Sequence, residues 1–345
     1  MSKTAYPPTH RWPRAPHCAW SGLALCAGLL LAPFAHATGR TDLYQATVPM
    51  PDHSEASHTA AFEAALKTVL IRVTGRRTTG EDAALAALVG EARRYVQQYR
   101  AAPDNQLWVA FDANAIDRWL AQNGQPIWGR DRPATFVWLA VPAAGAQGAT
   151  VARNDDSSDL KAAVDAEAQL RGIPLRWPTA GEIQAHHIDY AAITNSSNAT
   201  LVDLGRRLGG EGVLIGRPAA NAGAPAIRWV LQFHDQGSEF AGITEGIDAA
   251  ADLYAGLFAA SGAPAAVDIE VDGLADVTAY AKVQTYLESL SFVSHVSVRA
   301  IDADRAQFRV TVRGGAAALR RAISINGSLE PVEIGGPVLH FHLRP

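Results

Sequence analysis

Beyond its first 37 residues the chain has no cysteine, because Cys18 and Cys26 both lie in that segment. That excludes disulfides, thiol nucleophiles and thiolate metal sites, so an apolar core must hold the fold together. Long apolar runs are also missing after Phe34. The most apolar later stretches, Phe136–Val141 and Val213–Ile215, are strand-length, far below the roughly 20 residues of a membrane span. No Gly-x-Ser-x-Gly elbow, Gly-x-x-x-x-Gly-Lys-Ser/Thr loop or His-Glu-x-x-His pair occurs. Nor is there an excess of positive charge. The first 37 residues hold three of the 30 basic residues and none of the 34 acidic ones, leaving 27 against 34, a net −7. An acidic chain argues against nucleic acid and against electrostatic attachment to anionic lipid. No cofactor and no catalytic residue is assigned.

What is present begins with an export signal. Lys3, Arg11 and Arg14 make a positive front, Cys18–Phe34 is a mostly apolar run without charge, and Ala35-His36-Ala37 places small residues where a signal peptidase reads. The expected mature chain starts near Thr38 and is periplasmic. A lipid anchor on Cys26 is disfavoured, because the bulky Leu25 directly precedes it and the apolar run continues beyond it.

The N-terminal unit, 38–132, reads as α/β. Leu43–Val48 alternates as a strand. Asp52 and Glu55 have the spacing of a capping box before a long helix, on which Phe62, Leu66, Val69 and Val73 form one stripe up to Gly75. Helices are expected around Ala83–Val89, Glu91–Gln98 and Ala115–Gln122, and a second strand at Leu107–Phe111. The series Leu43-Tyr44, Val48-Pro49, Ala61-Phe62, Ala65-Leu66, Val69-Leu70, Arg72-Val73-Thr74-Gly75, Tyr95-Val96-Gln97-Gln98-Tyr99-Arg100, Trp128 and Arg132-Pro133 resembles an exported proteobacterial family, domain of unknown function family 2066. The resemblance implies a periplasmic address and carries over no site residue.

A middle α/β unit, 133–262, follows: a buried strand Phe136–Val141, a helix Leu160–Leu170, a short strand Ile173–Arg176, a helix through Leu201, Leu204 and Leu208, a strand Val213–Ile215, a hairpin of Ile227–Phe233 with Glu239–Ile243, and a helix Ile247–Phe258. Its order is similar in layout to the N-terminal domain of TolB. After the Gly262-Ala263-Pro264 linker, residues 265–345 read β-α-β-β-α-β, the ferredoxin-like pattern. The expected fold class is therefore α/β and α+β, with mixed-sheet domains ahead of a ferredoxin-like one.

Candidate interaction residues come from alternation in the last unit. Asp268, Glu270 and Asp272 should share an open sheet face with His295, Ser297 and Arg299, with Arg309 and Arg313, and with His340 and His342. In the ferredoxin-like order the histidines flank the acids of the first strand, and the acids face the arginines of the third. His340 and His342 beside Asp268 or Glu270 have ligand types that zinc accepts. Alternation alone produces such pairs, so no metal is assigned. The face lacks the aromatics of RNA-binding relatives. His186, His187 and Asp189 form the densest polar cluster elsewhere. Arg72, Arg76, Arg77, Arg93, Arg94 and Arg100 are a potential basic patch, and Trp108, Trp119, Trp128 and Trp138 cluster within residues 107–139. The functional expectation is a non-enzymatic accessory protein that binds envelope proteins; the alternative is a periplasmic ligand binder or hydrolase whose site assembles only on folding.

Overall fold

In the computed structural model the described residues are 43–129, 132–143, 148–219, 227–326, 328–333 and 336–344. The expected signal segment and both cysteines lie outside them. The first strand, β1 (Gln45–Pro49), leads to the long helix α1 (Glu55–Thr74). The cap of α1 is Ser54, whose side chain accepts the Ser57 amide, rather than the expected Asp52 with Glu55. Asp52 instead accepts the Ser54 amide at 2.8 Å, and hydrogen bonds from Ser54 and Ser57 draw its pKa to about 2. The stripe Phe62, Leu66, Val69 and Val73 is buried as its spacing requires, and α1 stops at Gly75, with φ of 73°.

The helix expected at Glu91–Gln98 does not form. A short helix α2 (Ala86–Gly90) and a 3-10 turn, Ala92–Tyr95, run directly into strand β2 (Val96–Ala102). β2 pairs with β3 (Gln106–Phe111), and α3 (Ala113–Gln122) follows, capped by Asp112. The first sheet is antiparallel, in the order β1-β3-β2.

The middle elements are β4 (Thr135–Val141), β5 (Thr150–Val151), α4 (Asp159–Arg171), β6 (Leu175–Arg176), α5 (Ala180–Ala185), α6 (Tyr190–Asn195), α7 (Asn198–Arg207), β7 (Gly212–Pro218), β8 (Ile227–Phe233), β9 (Gln236–Gly242) and α8 (Glu245–Phe258). β4 runs parallel to β6 and β7, whereas β7, β8 and β9 are antiparallel, so the sheet is mixed. Both faces are covered. Val137 and Leu139 pack with Val164 of α4 and Ala250 and Tyr254 of α8. Phe136 and Trp138, one residue out of phase, pack with Ile193 of α6 and Leu201 of α7. Strict alternation on a strand buried on both sides yields an uninterrupted apolar run.

The last sheet contains β10 (Pro264–Asp272), β11 (Val293–Asp302), β12 (Arg305–Arg313), β13 (Leu329–Val332) and β14 (Leu339–Leu343), with helices α9 (Val277–Ser289) and α10 (Gly315–Asn326). The order is β11-β12-β10-β14-β13. A βαββαβ chain makes an antiparallel sheet, because each crossover joins parallel strands around a third. Here β14 runs parallel to β10, and β13, not foreseen from sequence, lies antiparallel to β14 at the edge. This sheet therefore departs from the expected ferredoxin-like arrangement by an inserted strand. The described residues fall in one compact unit, and no helix among them is long and apolar enough to cross a membrane.

Candidate functional site

The C-termini of α1 and α4 meet, and their carbonyls set up a polar buried region that holds Arg72, Arg132 and Arg171. A helix C-terminus carries partial negative charge and carbonyls without intrahelical partners. Three arginines neutralise both. Arg72, in the last turn of α1, donates through Nε to the Gln169 carbonyl of α4 at 3.0 Å and through Nη1 to the Gln45 carbonyl of β1 at 2.9 Å. Arg171, the last residue of α4, donates to the Gly75 carbonyl beyond α1 at 2.9 Å. Arg132 serves both helix ends. Its guanidinium reaches the carbonyls of Gly129, Trp128 and Arg72 at 2.9, 2.9 and 2.8 Å, and those of Arg171 and Gly172 at 3.3 and 3.0 Å. It also lies 3.9 Å from the Trp128 ring centroid. Burial, then Arg72, pulls its pKa down to about 9, still above neutrality, so it remains charged.

The clamp explains the sequence around it. A Cβ on Gly172 would stand 2.5 Å from Arg72 Cγ and 2.6 Å from Arg132 Nη1. Arg171 is balanced by Asp248 and Asp252 of α8, and Asp248 also takes Arg77 at 3.0 Å. Glu167 lies against the same group, 2.9 Å from Arg77. Burial and the neighbouring Asp248 carboxylate raise the Glu167 pKa above the usual carboxylate value. The six arginines therefore make no common basic patch. Arg72 is buried, Arg76 and Arg77 are paired, and Arg93 and Arg94 bind Glu55 and Glu91. Arg100 instead lies 3.9 Å from the centroid of the Trp108 ring.

Beside the clamp is a cleft of about 870 Å³ between the first sheet and α4. Gln45, Thr47, Gln106 and Trp108 line one wall, Ala166 and Gln169 the other, and Arg72 links the two. The sequence singled out Arg72 and Trp108 but not the cleft, since its two walls lie about 60 to 120 residues apart in the chain. Of the four clustered tryptophans, Trp128 and Trp138 are core residues, while Trp108 and Trp119 are partly exposed.

The last sheet brings together most of the expected open-face residues. Arg309 binds Asp268 through two hydrogen bonds of 2.7 and 2.6 Å, lowering the Asp268 pKa. Glu270 accepts from Gln307 at 2.8 Å and lies 3.7 Å from His340, and His342 bonds Asp272. His295 stands opposite Thr311 on the same face. Arg299 departs from the alternation, lying in a register shift between Val298 and Ala300. Arg313, at the far end of β12, keeps the alternation and lines a separate cleft with Asp117 and Ser291. Among the described residues no group of three or more His, Cys, Asp or Glu is arranged to hold a metal ion.

His186 and His187 are exposed, and Asp189 caps α6 by accepting the Ala192 amide at 2.6 Å. A different convergence of Arg, His and acid occurs where Arg206, Glu211, His234 and Asp235 line a cleft of about 670 Å³ between the middle and last sheets. His234 has φ of 47°, and burial followed by Arg206 lowers its pKa.

Comparison with known families finds one match, to a domain of unknown function (DUF8605), over residues 37–129. The matched stretch contains β1, α1 and the first sheet, and it supports an uncharacterised domain there. No curated protein and no solved structure matches.

Proposed function

We propose that this is an exported, periplasmic protein of the Gram-negative envelope, related to domain of unknown function family 2066, that acts by binding other envelope proteins rather than by catalysis. The observation that carries the reading is the uncovered face of the last sheet. Its acids, arginines and histidines are cross-paired into a charge-balanced polar surface, the kind of rim that protein interfaces use for specificity. The amino-terminal pattern supports the address. The mature amino terminus, read by mass spectrometry of the periplasmic fraction, should be Thr38; an intact Met1 in the cytoplasmic fraction would refute export. Crosslinking in intact cells should capture a discrete envelope protein. Recovery of the chain uncrosslinked throughout would refute the accessory role.

A second reading, a small-ligand binder, is favoured by the cleft of Arg206, Glu211, His234 and Asp235, because pockets with a few convergent polar groups commonly sit between packed units. Asp235→Asn and Arg206→Ala should then weaken binding of a retained small molecule, detected by native mass spectrometry, without changing the crosslinked partner.

A further inference from the structure

The cleft between the first sheet and α4 has one wall that is not made of side chains alone. β1 is an edge strand, paired among the described residues only with β3. In an antiparallel ladder, alternate residues bond the neighbouring strand and the others direct both backbone groups away. The Phe111 amide donates to the Tyr44 carbonyl at 2.9 Å, and the Met50 amide to the Asn105 carbonyl at 2.7 Å, which fixes the even-numbered residues as those facing β3. The amide and carbonyl of Thr47 therefore point off the sheet edge into the cleft. At the Gln45 end the outward carbonyl is taken by Arg72, so the open edge begins at Thr47. Pro49, which has no amide proton, limits it on the other side. Facing this short edge, Ala166 and Gln169 of α4 supply the opposite wall.

We propose that this cleft accepts an extended acidic peptide segment of a partner protein, added to β1 as a further strand. The proposal rests on the protein-binding reading above and adds to the face of the last sheet a second place of contact. An unpaired strand edge flanked by a helix offers hydrogen bonds at the spacing of a second backbone, and side chains at alternate positions then meet the walls. The cleft lining contains no Asp or Glu among the described residues, in a chain with an acidic surplus. Arg100, beside the cleft on Trp108, has no ion-pair partner among the described residues and supplies positive charge. A glycan fits less well. Sugars stack on a bare ring face, and Arg100 covers one face of Trp108. The two edges of the last sheet are less suited. β11 carries two register shifts and β13 spans only Leu329–Val332 with a proline inside it.

The test uses the purified full chain and phage-displayed random dodecapeptides. Selected peptides should carry at least one acidic residue. Their affinity should fall more than about tenfold for Thr47→Pro, which removes the edge amide, and for Ala166→Trp, which fills the cleft from an exposed helix position. His186→Ala, at an exposed position outside the cleft lining, should bind like the parent. Circular dichroism checks that the variants fold; if Thr47→Pro does not, Ala166→Trp decides. Failure to select any peptide overturns the proposal, as does binding unaffected by Ala166→Trp, or loss in that variant of binding to a panel of neutral oligosaccharides rather than to peptides. An envelope partner still captured by crosslinking to Ala166→Trp would leave the accessory reading standing and this site refuted.

Discussion

Replacing Arg132 tests whether the arginine clamp holds the first and middle sheets together. Arg132→Met keeps much of the side-chain volume and removes all donors. Five carbonyls, those of Arg72, Trp128, Gly129, Arg171 and Gly172, then face an apolar chain. At about 1–3 kcal/mol for each buried group left unpaired, full loss would rival the whole stability of a domain, about 5–15 kcal/mol. Water must therefore enter and recover part of it, and removing the buried guanidinium also relieves its desolvation. The expected net loss is about 3–5 kcal/mol, the range for breaking one side of a buried charged network. Arg132→Lys keeps the charge but offers three donors in place of the guanidinium fork, so about 2 kcal/mol should be lost. Urea unfolding of the chain from Thr38, followed by tryptophan fluorescence, reads both, since Trp128 lies under the guanidinium. Met and Lys variants within about 1 kcal/mol of the parent would mean that these carbonyls are already hydrated, and would refute the clamp.

Three further outcomes follow from the same region and its surroundings. Gly75→Ala should cost about 2–4 kcal/mol, because φ is 73° and a Cβ would stand 2.3 Å from the Ala255 Cβ. Gly124→Ala, with φ of 68° and open space around it, should cost only about 1 kcal/mol; equal midpoints in thermal unfolding would refute the packing argument. Glu167 has a raised folded pKa, so it favours the folded state below its ordinary value of 4.5 and loses that contribution as pH rises through the folded value. Glu167→Gln should therefore flatten the decline in stability above pH 4.5, measured by urea midpoints across pH, and an unchanged slope would sink that assignment. Asp268 has a lowered pKa from Arg309, with the opposite sign: its contribution is present above the ordinary 3.8 and is lost as pH falls through the folded value. Asp268→Asn should remove part of the acid-side decline, and the identical acid limb in both proteins would count against the pair.

Much of the fold was legible because burial repeats with the period of the element. The stripe on α1, the alternation of β1 and the apolar run of β4 each follow from one-sided or two-sided burial. The start of β2, Val96–Gln98, was misread as the end of a helix because Gln97–Ala101 are exposed and carry no alternation; pairing with β3, a contact through backbone, makes them a strand. β13 was missed for a similar reason, being four residues with Pro331 among them. On the last sheet, cross-strand neighbours such as Asp268 with Arg309 were readable from the strand order. The bulge at Arg299 was not, because a register shift leaves no mark in residue type. The clamp was invisible for a deeper reason: Arg132 recognises carbonyl oxygens, which every residue possesses.

The same arginine separates the unit of inheritance from the unit of folding. The stretch that matches an uncharacterised domain ends at residue 129. Yet the Arg72 carbonyl near the end of α1 is met by Arg132, the Val73 carbonyl by the Trp128 amide, and the Gly75 carbonyl by Arg171. A ribosome that has released only the matched stretch has made a helix whose last turn is still open to water. Closure waits for another forty or so residues, until α4 arrives carrying Arg171 and its own open end. A recombinant fragment cut at the family boundary should inherit this unfinished state.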